Sequence, residues 1–139
     1  MKAIETKLKG CFIIEPSIFK DERGYFFESF NKISFNKAIE QEVNFVQDNE
    51  SFSTRGVLRG LHFQKGKYAQ AKLVRVIKGS VLDVVVDIRK GSPTFGKHFT
   101  QELSDQNHFQ LFIPRGFGLS IWEILLETAT QFGYKILER

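Results

Sequence analysis

At 139 residues, with 42% hydrophobic and 26% charged side chains, the chain has the make-up of one globular domain, 1–139, with a core of its own. A net charge of +4 is too mild to mark a nucleic-acid binder by itself, and the absence of a long apolar run excludes a membrane-spanning segment. The single cysteine, Cys11, excludes an intrachain disulfide, and the polar first ten residues lack a signal peptide's apolar stretch, so a cytoplasmic location is expected.

The elements predicted in chain order are short and mostly extended. A strand over 11–14 stops before Pro16, and a second over 24–30 follows the turn Asp21-Glu22-Arg23-Gly24. A short helix is predicted over 34–41. Residues 71–77 alternate up to Lys78-Gly79, and 80–88 run on as the next strand, so these two are expected to pair as a hairpin. Two further strands are predicted over 98–103 and 109–113. Many short strands broken by turn signals predict an all-β sandwich or barrel of the jelly-roll kind, with most of the 15 phenylalanines in its core.

Period-two alternation puts Val81, Asp83, Val85 and Asp87 on one face of a strand and Leu82, Val84, Val86 and Ile88 on the other. The face with two aspartates either lines a polar cavity or looks outward to solvent. Lys72 shares its face with Gln70, Val74 and Val76, and the direction of that face depends on a register the sequence does not contain.

Between residues 55 and 97 ten basic residues stand against two acids, Asp83 and Asp87, a local charge of +8. A solvated face, a nucleic-acid surface and a site for a small dianion such as a diphosphate all have this composition. The strand character of the segment, without an aromatic-basic RNA signature, argues against nucleic acid.

The chemistry concentrates around His62, in Arg59-Gly60-Leu61-His62-Phe63-Gln64, and Lys72 ten residues on. A histidine titrates near neutral pH and can take a proton at small cost, and a lysine can stabilise the anion left behind. No second histidine stands at metal-ligand spacing, since Gln64 occupies the place it would take, and His98 and His108 lie far along the chain. A Gly-x-Ser-x-Gly elbow, a phosphate loop and a dinucleotide fingerprint are all missing. The pattern points to metal-free, cofactor-free proton abstraction beside a carbonyl. Arg59 adds a bidentate anion donor, Tyr134 a candidate proton donor, Arg23 and Glu28 a cation and a carboxylate, and Gln47-Asp48-Asn49 amides and an acid suited to a base or sugar.

Five segments, DERGYFFESF (21–30), FVQDN (45–49), VLRGLHFQ (57–64), AQAKLVRVIKGSVLDVVVDIRKGSPTFG (69–96) and LFIPRGF (111–117), resemble the dTDP-4-dehydrorhamnose 3,5-epimerase family. That resemblance implies a double-stranded β-helix, the cupin-type jelly roll, with one or two short helices, assembled as a homodimer. It also implies action on a nucleotide-linked 4-keto-6-deoxy sugar in deoxysugar synthesis. His62 would then be the base that removes protons at carbons 3 and 5. Lys72 would stabilise the enolate oxygen at carbon 4, and Tyr134 would return a proton from the opposite face. Arg23 and Arg59 would hold the diphosphate, while Glu28, Gln47, Asp48 and Asn49 would fix the nucleotide.

The sequence departs from the family pattern in two places. After Phe117 it reads Gly118-Leu119-Ser120-Ile121-Trp122 through Glu127, without the histidine that the family places there as a substrate contact. Family members also run past the Tyr134-Lys135 motif, into a tail bearing an aspartate that pairs with the catalytic histidine and an aromatic ring that stacks on thymine. Those contacts are expected to be absent here. Besides the full epimerase, the sequence therefore admits a partial catalyst (a 3-epimerase or keto-isomerase) and a non-catalytic nucleotide-sugar binder.

Overall fold

The computed structural model describes residues 1–122 and 130–137, with 120–122 and 130–137 described by their backbone alone. In chain order the elements are β1 (Lys2–Glu5), β2 (Phe12–Glu15), β3 (Ile18–Asp21), β4 (Gly24–Phe27), α1 (Lys32–Ile39), β5 (Phe45–Ser53) and β6 (Leu58–His62). After a 3-10 turn at Gly66–Tyr68 come β7 (Lys72–Lys78), β8 (Ser80–Asp87), β9 (His98–Ser104), β10 (Gln110–Ile113), β11 (Phe117–Trp122) and β12 (Thr130–Leu137). No helix among the described residues is long and apolar enough to cross a membrane.

The strands build two facing antiparallel sheets, ordered β1-β2-β10-β7-β12-β5 and β6-β11-β8-β9, with β3 and β4 forming a separate hairpin. This is the jelly-roll sandwich that the strand pattern predicted. Its core lies between the sheets, where Val74, Val76, Leu111 and Ile113 meet Val81, Val85, Leu103, Phe117 and Leu119. Each such side chain contributes roughly 1.5–3 kcal/mol when it is taken fully out of water.

A second apolar layer covers the outer face of the larger sheet. Phe35 and Ile39, four residues apart on one side of α1, pack on Ile14, Leu73 and Phe112. The helix starts two residues earlier than the sequence suggested because Asn31 caps it, its Oδ1 accepting from the Ser34 N–H at 3.1 Å. It ends at Glu40, whose backbone is left-handed.

The expected 71–88 hairpin is not formed. β7 and β8 belong to different sheets and exchange no ladder bonds, so the chain crosses the sandwich at Gly79. Gly79 turns with φ of 84°, its N–H donating to Asp105 Oδ2 at 2.9 Å. The physical reason is burial. Both strands carry a valine face, and stacking those faces hides both, whereas edge-to-edge pairing would leave them side by side on one sheet.

Stacking also settles the direction of the aspartate face. Val81, Asp83, Val85 and Asp87 point inward and are buried, while the all-apolar face of Leu82, Val84 and Val86 is only half-buried. β4 is shorter than predicted, ending at Phe27, and the strands β1, β3, β5, β6, β11 and β12 went unpredicted.

Candidate active site

The site lies at one end of the sandwich, where the two sheets part. His62 closes β6, at the edge of the smaller sheet, and is aligned with Leu119 of β11. Lys72 opens β7 in the larger sheet, aligned with Ile113 of β10 on one side and Ile136 of β12 on the other. Both side chains line one cavity of about 250 Å³. Its polar wall is His62, Gln64, Gln70 and Lys72, and its apolar wall is Phe63, Ile113, Phe117 and Leu119. A base and a cation on facing sheets, with apolar side chains between, are placed to act on a molecule lying between them. Here sheet stacking, rather than closeness in sequence, makes the pair.

Arg59 and His62 stand three residues apart, so simple alternation would put them on opposite faces. The register shifts between Leu119 and Ile121, so that three steps along β6 match two along β11. Arg59 is thereby aligned with Ile121 and shares the face of His62. Its Nε donates to Ser53 Oγ at 2.8 Å and its Nη2 to the Phe52 carbonyl at 3.1 Å, tying the edge of one sheet to the edge of the other.

β5 carries the amides. Gln47 and Asn49 share a face, with Gln47 Nε2 donating to Asn49 Oδ1 at 2.9 Å. Through Ile136, Gln47 falls in the same cross-strand row as Lys72, two strand spacings or roughly 10 Å away. Asp48 sits on the opposite face of β5, aligned with Lys135, and so is not gathered with them. Tyr134 is aligned with Asn49 on one side and Val74 on the other, but its side chain lies outside the described residues. Of the altered 118–127 stretch, 118–122 belongs to β11 and 123–127 lies outside the described residues.

Arg23 and Glu28 are not brought to the cavity within one chain. Arg23 stands exposed on the β3–β4 hairpin, its Nη2 donating to Asp21 Oδ2 at 2.6 Å. Glu28 Oε2 accepts from Asn31 Nδ2 at 3.3 Å.

The electrostatics of the site centre on Lys72 and a residue to which sequence reasoning gave no definite role, Asp83. Burial lowers the Lys72 ammonium below its ordinary range, with the Asp83 charge opposing that shift. Burial pushes the Asp83 carboxyl above the usual carboxylate range, with the Lys72 charge opposing that shift. Among the described residues, no three His, Cys, Asp or Glu side chains gather as metal ligands would.

An antiparallel jelly roll whose end cavity is lined by a histidine and a lysine has the groups that a proton-transfer enzyme needs. The pattern of the dTDP-4-dehydrorhamnose 3,5-epimerase family matches residues 5–138. The family's enzyme from Shigella flexneri is 52% identical over 135 residues, covering 97% of this chain and 74% of that one. Among solved structures, the enzyme of the same name from Elizabethkingia anophelis is 51% identical with a TM-score of 0.89, covering 98% of this chain and 73% of that one. A dTDP-6-deoxy-D-glucose-3,5-epimerase from Legionella pneumophila, solved in complex with dTDP-4-keto-L-rhamnose, is 44% identical with a TM-score of 0.91, covering 99% and 72%. The chain belongs to the dTDP-4-dehydrorhamnose 3,5-epimerase family, and its fold is the cupin jelly roll.

Proposed function

We propose that this chain inverts carbons 3 and 5 of dTDP-4-dehydro-6-deoxy-D-glucose by proton transfer beside the carbon 4 ketone, serving dTDP-rhamnose and related deoxysugar synthesis. The observation that carries the reading is the cavity shared by His62 and Lys72 from opposite sheets. A C–H next to a ketone is a weak acid, so an imidazole needs the resulting oxyanion stabilised before it can remove that proton. His62 takes the proton, leaving the electron pair as an enolate whose oxygen faces the Lys72 ammonium. Reprotonation of the same carbon from the other face inverts it, and Tyr134 is the donor in this scheme. Arg59, on the face of His62, suits the diphosphate, and Gln47 with Asn49 suits the nucleotide.

The functional unit in this proposal is a homodimer. Phe19 and Phe26, aligned across the β3–β4 hairpin, are 65% and 70% exposed, an aromatic pair that another protein surface would cover. Arg23 and Glu28, remote from the cavity of their own chain, would reach a partner's cavity from this hairpin and the segment after it.

Incubation with dTDP-4-dehydro-6-deoxyglucose in deuterated buffer, followed by NMR, tests the assignment. Deuterium should enter at carbons 3 and 5 with the native chain and at neither with His62→Ala. Exchange that survives in His62→Ala removes the histidine from the mechanism, and exchange at one carbon alone reduces the activity to mono-epimerisation.

A further inference from the structure

We infer that Asp83 is a positioning residue for Lys72, its buried charge facing the ammonium from the inner face of the opposite sheet and keeping it charged where the enolate forms. The inference rests on the proposed role of Lys72. Asp83 is fully buried on the inner face of β8, between Val81 and Val85, and that face is stacked on the face of β7 that begins with Lys72. Among the described residues, neither carboxylate oxygen has a hydrogen-bond partner. A valine there would continue the Val81–Val85 stripe without any desolvation penalty. Exchanging a buried charge for an apolar side chain is often neutral or stabilising, so stability does not account for an acid at this position.

Among the described residues, the groups facing Asp83 are few. From β7 comes Lys72, and from the β1–β2 turn the buried Cys11 thiol, whose proton the Asp83 charge helps to retain. Arg59 of β6 occupies the same cross-strand row, beyond Ile121, while Gln101 of β9 is aligned on the other side and is neutral. His62 lies one row further along. Among these cations Lys72 is the one that acts on the Asp83 carboxyl, opposing the burial that would keep it protonated. Burial disfavours both charges, and each ion is sustained by the other.

The test is a titration of the full chain by NMR, reading the Lys72 ¹³Cε shift, assigned by its loss in Lys72→Arg. In Asp83→Asn, which keeps the side chain's shape, the Lys72 midpoint should fall by roughly one pH unit. The alkaline limb of the kcat profile should move down with it, and kcat should drop about tenfold while KM changes little. An unmoved Lys72 midpoint in a folded Asp83→Asn overturns the inference. If that variant does not fold, Lys72→Met supplies the reciprocal reading. The Asp83 carboxyl midpoint must then rise, and an unchanged value overturns the inference equally. Both midpoints are read without turnover, so they stand apart from the deuterium experiment that judges the epimerase reading.

Discussion

Replacing Asp87 by alanine should remove about 3 kcal/mol of stability. Asp87 is fully buried at the end of β8 and accepts five hydrogen bonds. Arg89 supplies three, from its backbone N–H at 3.0 Å, its Nε at 2.9 Å and its Nη2 at 2.8 Å. Ser92 Oγ and Thr94 Oγ1 supply the others, each at 2.6 Å. Charge-assisted bonds contribute about 1.5–3 kcal/mol each, but five to one acceptor do not add. The Arg89 side chain, 33% exposed, would rehydrate and keep its bond to the Lys9 carbonyl, and Ser92 and Thr94 already touch each other at 3.1 Å. These recoveries place the loss at the low end of the range of about 3–5 kcal/mol for breaking a buried ion pair. For a chain of this size that is a fall in Tm of about 10 °C.

The same bonds hold the Asp87 carboxyl far below the usual carboxylate range, with the Arg89 side chain as the largest cause. A depressed folded-state pKa gives stability that is complete above the unfolded value of about 3.9 and fades as pH falls from there toward the folded value. Urea unfolding of the two proteins, followed by circular dichroism from pH 7 to pH 2, measures the gap. It should stay constant down to about pH 4 and narrow only below that. A gap under about 1 kcal/mol at pH 7, or one that narrows between pH 7 and pH 5, refutes the reasoning. The network also bears on the site, because Arg89 covers the ring of Phe117 at 4.2 Å and Phe117 is one wall of the cavity.

Lys72→Met keeps the length of the side chain and removes its charge. Loss of an oxyanion stabiliser in a partly dry site should lower kcat about a hundred- to a thousandfold with a smaller effect on KM, and a variant keeping a tenth of native turnover removes Lys72 from that role. For the dimer, sedimentation velocity at micromolar concentration should show a single species of twice the chain mass, shifted toward monomer by Phe26→Asp on the exposed hairpin. A native chain that sediments as a monomer contradicts the assembly.

Much of the fold was legible because alternation and turn residues are local. The valines of 80–88, the Lys78-Gly79 break and the stop before Pro16 each mark their element whatever packs around it. Pairing was not legible. The same alternation in 71–77 and 80–88 suits two strands joined edge to edge and two strands stacked face to face, and only the balance of buried surface across the whole sandwich separates them. The capped start of α1 shows the opposite case, since Asn31 stood in the sequence as a readable signal three residues before Ser34 and fixes the first turn.

The site follows the same division. His62 and Lys72 could be picked out by residue type, but their meeting depends on which faces turn inward. Arg59 illustrates the limit, since parity alone separates it from His62 and a one-residue shift against β11 restores them to one face. Asp48 is the converse, a polar neighbour of Gln47 and Asn49 that parity sends to the other side of the sheet. Asp83 was visible as an acid set among valines, and its two readings, cavity wall or outer face, were equally consistent with that pattern. Stacking β8 on β7 decides between them and changes what the residue means. On an outer face the carboxylate would be an ordinary solubilising charge, while inside, opposite Lys72, its cost in desolvation is offset by its effect on the charge of the lysine to which the proposed chemistry gives the enolate.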